Sequence, residues 1–182
     1  HDKDVITNAF DTLDFAFHDV IPDDREDYIQ ISGRQNNERK NKFIKAKYIK
    51  EHENLKKWKV FVPKANGTGA IGEVLSTPLI GEPLIGHTQT YISIGKFDTQ
   101  LEAENCMKYI KSKFARAMLG ILKITQDNPA PKWKKVPLQD FTPTSDIDWT
   151  KSIPEIDQQL YAKYGLSQDE IAFIEEKVKV MA

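Results

Sequence analysis

Between Tyr28 and Phe97 the chain alternates apolar and polar residues in short runs, and beyond Gln100 the apolar spacing becomes helical. Tyr28–Gly33 predicts a short strand with Tyr28, Gln30 and Ser32 on one face. A polar turn, Gly33 to Asn37, leads into Arg39–Ile49, where Phe43, Lys45, Lys47 and Ile49 alternate with Lys42, Ile44, Ala46 and Tyr48. Lys57–Val62 reads as a buried strand closed by Pro63, and Thr88–Phe97 as a further strand. Residues 64–88 hold five glycines and two prolines, the composition of loops and short edge strands. Ahead of these, residues 4–21 mix apolar and acidic residues without a helical or strand period, and Pro22-Asp23-Asp24 ends that segment.

A long helix is predicted from about Gln100 to Thr125, with Asp98 and Thr99 as N-cap candidates. Cys106, Met107, Ile110, Phe114, Ala117, Met118 and Ile121 form its apolar face, opposite Lys108, Ser112, Arg116 and Lys123. A proline-rich connector, 127–135, precedes a short returning strand at Val136-Pro137-Leu138. Two C-terminal helices follow as a hairpin. Pro154 suits the first turn of a helix ending at Lys163, and Tyr164-Gly165 supplies its stop. Ser167 and Glu170 form a capping box that opens a helix over 168–180. The expected fold class is α+β: a twisted, mostly antiparallel sheet, one long packed helix and a C-terminal helical hairpin. Residues 1–27 lead into a core over 28–141, and 142–182 carry the helical pair.

Charge changes this picture more than length does. The net charge of −1 over 182 residues conceals a segregation. Residues 1–28 carry nine acids against two bases, and residues 140–182 nine acids against four. The centre, 29–139, holds 20 Lys and Arg against nine acids, a net of +11. A basic centre between acidic ends favours a polyanion-binding face. Cys106 stands alone, which excludes an internal disulfide and a cysteine zinc cage. With no secretory signal pattern and no membrane-length apolar run, a cytoplasmic protein is expected.

The segment after Trp58 tests the first functional reading. Gly67, Gly69 and Gly72 have dinucleotide-turn spacing directly after a strand. That turn must open a helix whose N-terminus holds the pyrophosphate, and Pro78, Gly81 and Pro83 forbid one. Asp23, Glu38 and Lys40 offer a metal-dependent nuclease alternative, although Glu38 sits in a turn. Asn128-Pro129-Ala130-Pro131 lacks the second adjacent proline and the aromatic residue of an amino-methylation motif. The four histidines are widely spaced, and His87 reads first as a structural histidine.

What remains is an inventory for reading DNA. Arg34, Gln35, Asn36 and Asn37 carry side chains able to pair with purine edges. Lys64, Asn66, Gly67, Thr68 and Gly69 form a loop whose backbone amides can approach a phosphate, and His87 to Gln89 form a third polar loop. Arg39, Lys40, Lys42, Lys113 and Arg116, with Lys132, Lys134 and Lys135, could neutralise phosphates.

Several blocks occur in a fixed order: Ile31–Arg39, Trp58–Gly67, Thr90–Phe97, Glu102–Arg116, Val136–Phe141 and Leu160–Ser167. Together they resemble the C-terminal target recognition region of type IIG-like restriction–modification enzymes built around an adenine-N6 DNA methyltransferase. The resemblance covers roughly residues 28–180 and none of the first 27. It implies a fragment without catalysis of its own, which clasps double-stranded DNA so that the target adenine is flipped into the parent's pocket. It implies DNA-facing blocks at Arg34 to Arg39 and Lys64 to Gly69, with Lys113 and Arg116 at the family's basic helix positions. The implied partners are the methyltransferase and nuclease domains of the same polypeptide. The implied cofactors belong to the parent: S-adenosylmethionine, and Mg2+ where the parent also cleaves.

Overall fold

The computed structural model describes residues 5–64, 75–121 and 130–181. The fold is α+β, with two three-stranded sheets in place of the single sheet expected. The first runs β2-β1-β5, from Tyr28–Gln35 (β1), Glu38–Lys45 (β2) and Ile85–His87 (β5); the second runs β4-β3-β6, from Trp58–Pro63 (β3), Leu79–Gly81 (β4) and Tyr91–Phe97 (β6). β1 pairs in parallel with β5, while β3 is antiparallel to both of its neighbours. Isoleucine, valine and aromatic residues in these short runs suit a pleated, half-buried surface.

Each sheet has its own apolar cluster. Under the first sheet Ile29, Ile31 and Ile44 pack against Ala9, Phe10 and Phe17. Phe10 belongs to a single-turn helix, α1 (Ala9–Thr12), and both Ala9 and Phe10 are wholly buried. The N-terminal segment without a period is therefore part of this core. A bridge between His18 and Phe43 fastens it to β2.

The second cluster is larger. Val60 and Val62 of β3 meet α2 (Gln100–Lys111), α3 (Lys113–Ile121) and the C-terminal pair, α5 (Ile153–Lys163) and α6 (Gln168–Lys177), beyond the short α4 (Ala130–Trp133). Thr99 caps α2: its hydroxyl accepts from Glu102 N–H, and the Glu102 carboxylate accepts from Thr99 N–H. The same reciprocal box at Ser167 and Glu170 opens α6. Gly165, at φ +63°, lies just past the end of α5, the left-handed position that favours glycine there.

Three expectations need correction. The predicted long helix breaks at Ser112, whose ψ of 150° is extended. Its Oγ accepts from Ala115 N–H, and the Asp157 carboxylate of α5 accepts from Lys113 and Phe114 N–H at 3.0 and 2.8 Å. A new helix start is thus capped twice, once locally and once from across the core. Residues 122–125 of that predicted helix lie outside the described residues. Val136–Leu138 is not a strand; Pro137 carbonyl instead accepts from the Tyr109 hydroxyl at 2.6 Å. The strand predicted over Arg39–Ile49 ends at Lys45, followed by one 3-10 turn over Ala46–Tyr48.

Candidate nucleic-acid interface

β1 and β2 form a hairpin with a two-residue loop, and the strands run further than the sequence implied. Gln35 pairs with Glu38, so only Asn36 and Asn37 turn. Both have positive φ, 50° and 63°, as a type I′ hairpin loop requires. Asparagine tolerates this conformation, so turn geometry is a first reason for its presence here. Arg34 and Gln35 are strand residues and alternate faces.

The hairpin register sorts the predicted contact residues. Arg34 stands directly opposite Arg39 on the outer face, which the pleat also gives to Gln30, Ser32 and Asn41. Like charges directly opposite each other destabilise an antiparallel pair. Neither guanidinium meets a carboxylate among the described residues: Arg34 Nη2 donates to Asn37 carbonyl at 2.9 Å and Arg39 Nη2 to Thr77 carbonyl at 2.8 Å. Both side chains are exposed. Two cations are therefore placed opposite each other at the hairpin end, and no described carboxylate compensates their charge.

Gln35, Lys40 and Lys42 point to the other face. The Gln35 amide donates to Phe10 carbonyl at 3.0 Å, which ties the N-terminal segment to the hairpin. Lys42 has only 10% of its side chain exposed, lies 3.3 Å from Asp19 and covers the Phe10 ring. It closes the first core and is not presented to a phosphate, contrary to expectation. Lys40 is exposed beside Glu38 at 3.6 Å. On the same face Gly33 admits a close approach, because an added Cβ would fall 2.7 Å from Thr88 and 2.8 Å from Phe10.

The other polar loops begin at this end of the sheets. Thr88 N–H donates to Ser32 carbonyl and Lys64 N–H to Thr90 carbonyl, both at 2.9 Å. Gln89 and Lys64 are exposed beside a shared cleft. Asn66, Gly67, Thr68 and Gly69 lie outside the described residues. His87 is structural in its bonding. Nδ1 donates to Thr88 carbonyl at 2.8 Å, and Nε2 lies 2.5 Å from the Ser93 hydroxyl.

The helical cations do not join this surface. Arg116 is 3% exposed. Its guanidinium donates to the carbonyls of Lys111, Ser112 and Lys179, and burial disfavours its charged form. Lys113 binds both the carboxylate and the carbonyl of Glu175. The phosphate role expected for this pair is replaced by fastening α3 to α6. Sequence reasoning also missed Lys59, 1% exposed in β3, which donates to the carbonyls of Leu55, Lys57 and Glu82. Burial pulls its ammonium down to about 8. A lysine inside an otherwise apolar strand, Trp58–Pro63, was the available signal.

The nuclease residues are not brought together. Asp24, next to Asp23, binds Lys45 at the open end of the hairpin, while Glu38 lies at the turn end. Seven residues of strand separate these ends, about 23 Å at ~3.3 Å per residue. Among the described residues, no group of three or more His, Cys, Asp or Glu is placed to hold a metal. No described helix is long and apolar enough to cross a membrane. No protein-family model, curated protein or solved structure matches the chain.

Proposed function

We propose that this chain is the sequence-reading domain of a prokaryotic, cytoplasmic restriction–modification enzyme and binds double-stranded DNA through the β1–β2 hairpin end. The observation that carries this reading is the Arg34–Arg39 pair, opposite in register, exposed and without a carboxylate partner among the described residues. Such a pair costs stability in the free protein, and a phosphate or a guanine edge relieves it. A two-stranded ribbon also fits the major groove, where arginine reads guanine O6 and N7. Lys40, Lys64 and Gln89 flank the ribbon with further donors. Catalysis belongs to the parent's methyltransferase, which uses S-adenosylmethionine, and to its nuclease.

Fluorescence anisotropy with a randomised duplex pool, followed by selection and sequencing, tests the reading. The expected result is a recovered motif together with affinity that falls steeply as salt rises. Affinity without any motif, or none at low salt, overturns it.

A further inference from the structure

Two residues along β2 from Arg39, on the same outer face, stands Asn41, with Ser32 of β1 directly opposite it. The Ser32 hydroxyl donates to Asn41 Oδ1 at 2.8 Å. Ser32 is 8% exposed, whereas Asn41 is exposed, so a buried hydroxyl grips one atom of an exposed amide. Asn41 Nδ2 meets no acceptor among the described residues, and Oδ1 keeps a second lone pair. An unheld asparagine amide can turn over and exchange its donor and acceptor; the Ser32 bond holds this one in a single orientation. A donor beside an acceptor in fixed order matches the major-groove edge of adenine, where N7 accepts and N6 donates. Guanine shows two acceptors there, N7 and O6. Two residues of strand span ~7 Å, close to the rise of two base pairs at ~3.4 Å each.

We infer that Asn41 reads an adenine about two base pairs from the guanine met by the Arg34–Arg39 pair, with Ser32 as its positioning residue. Asn41 Nδ2 donates to adenine N7, and Oδ1 accepts from the N6 amino group. The inference rests on the DNA reading above and extends it. A ribbon with arginines alone selects guanine, and the held amide adds a second, different base at a set distance.

The test uses the full chain and selection from a randomised duplex pool, repeated with Asn41→Ala, Ser32→Ala, Ser32→Thr and Arg34→Ala after circular dichroism confirms folding. The expected result is an adenine whose preference Asn41→Ala removes, about two base pairs from the position that Arg34→Ala relaxes. Replacing that adenine by 7-deazaadenine removes the N7 acceptor and leaves the protein untouched. It weakens binding of the unaltered chain by ~10-fold and has no effect on Asn41→Ala. Ser32→Ala narrows the preference for adenine over guanine at that position, and Ser32→Thr, which keeps the hydroxyl, retains it. A merely structural serine would change affinity equally for both bases. A motif that depends on Arg34 but has no position dependent on Asn41 overturns the inference and leaves the DNA reading standing. So does an affinity indifferent to 7-deazaadenine at every adenine of the motif. An unaltered chain that recovers no motif overturns the DNA reading, and this inference with it.

Discussion

The turn end of the hairpin and the helical region hold their cations differently, although Lys42, Lys45 and Lys47 elsewhere in the sheet half also meet carboxylates. Around α2, α3, α5 and α6, cationic side chains end on protein acceptors: Lys108 on Trp149 carbonyl, Lys113 on Glu175, Arg116 on Lys179 carbonyl, and Lys163 on Gln139 and Asp146. At the hairpin end and along the cleft, Arg34, Arg39, Lys50 and Lys64 meet no carboxylate among the described residues. The same two residue types thus act as struts around the helices and at Lys42 and Lys59, and as exposed charge at the hairpin turn and Lys50 and Lys64. A count of basic residues does not separate these uses; the location of each donor's acceptor does.

The largest expected effect that would break this contrast is on Arg116. Arg116→Ala leaves three carbonyl contacts of a buried guanidinium unmade and is expected to destabilise the fold by about 2–4 kcal/mol in urea unfolding, with DNA affinity per folded molecule unchanged. A stable variant with weakened DNA binding would move Arg116 into the other class. Asp157→Ala removes the carboxylate from the start of α3 and should cost about 1–3 kcal/mol, read as a lower urea midpoint. Arg34→Ala should reduce affinity for the selected duplex by about 1–3 kcal/mol and relax preference at one base pair. The same change should leave stability unchanged or raise it by ~0.2–1 kcal/mol, because it removes one of two opposed cations. A loss of stability instead would make Arg34 a strut.

The smallest effect is on acid unfolding. Lys45, hydrogen-bonded to the Asp24 carboxylate, holds that acid down to about 2 from its ordinary 3.8. A depressed carboxylate contributes stability above its unfolded value, and that contribution disappears as pH falls from 3.8 toward 2. Asp24→Asn should therefore flatten the fall in melting temperature across that window while leaving DNA binding intact. An unchanged pH profile would show that the open end of the hairpin gains nothing from this pair.

Much of the fold could be read from local pattern because the signals are local. The alternation in β1 and β3, the Thr99 and Ser167 caps and the Gly165 stop each depend on residues within a few positions of one another. The break at Ser112 could not be read this way. The apolar spacing continues through it, and the competing cap comes from Asp157, 43 positions beyond Phe114. The candidate site divides similarly. Arg34 and Arg39 were visible as a basic polar run, but their opposition needs the Asn36-Asn37 turn, which sets the hairpin register. Lys42 looked equivalent to Lys40 in sequence and shares its face of the sheet; only Lys42 lies against Phe10 and Asp19.

The sequence by itself determined most strands and the starts of α2, α5 and α6, because periodicity and capping act between neighbours in the chain. It also determined that positive charge gathers in the centre, which is a matter of composition. Tertiary structure alone decided that the strands divide into two sheets, that Lys59 sits among three carbonyls, and which cations remain exposed. A long, flexible basic side chain takes whatever acceptor the fold brings within reach. Its role is therefore set by partners distant in the chain, as Arg116 with Lys179 carbonyl and Arg39 with Thr77 carbonyl both illustrate.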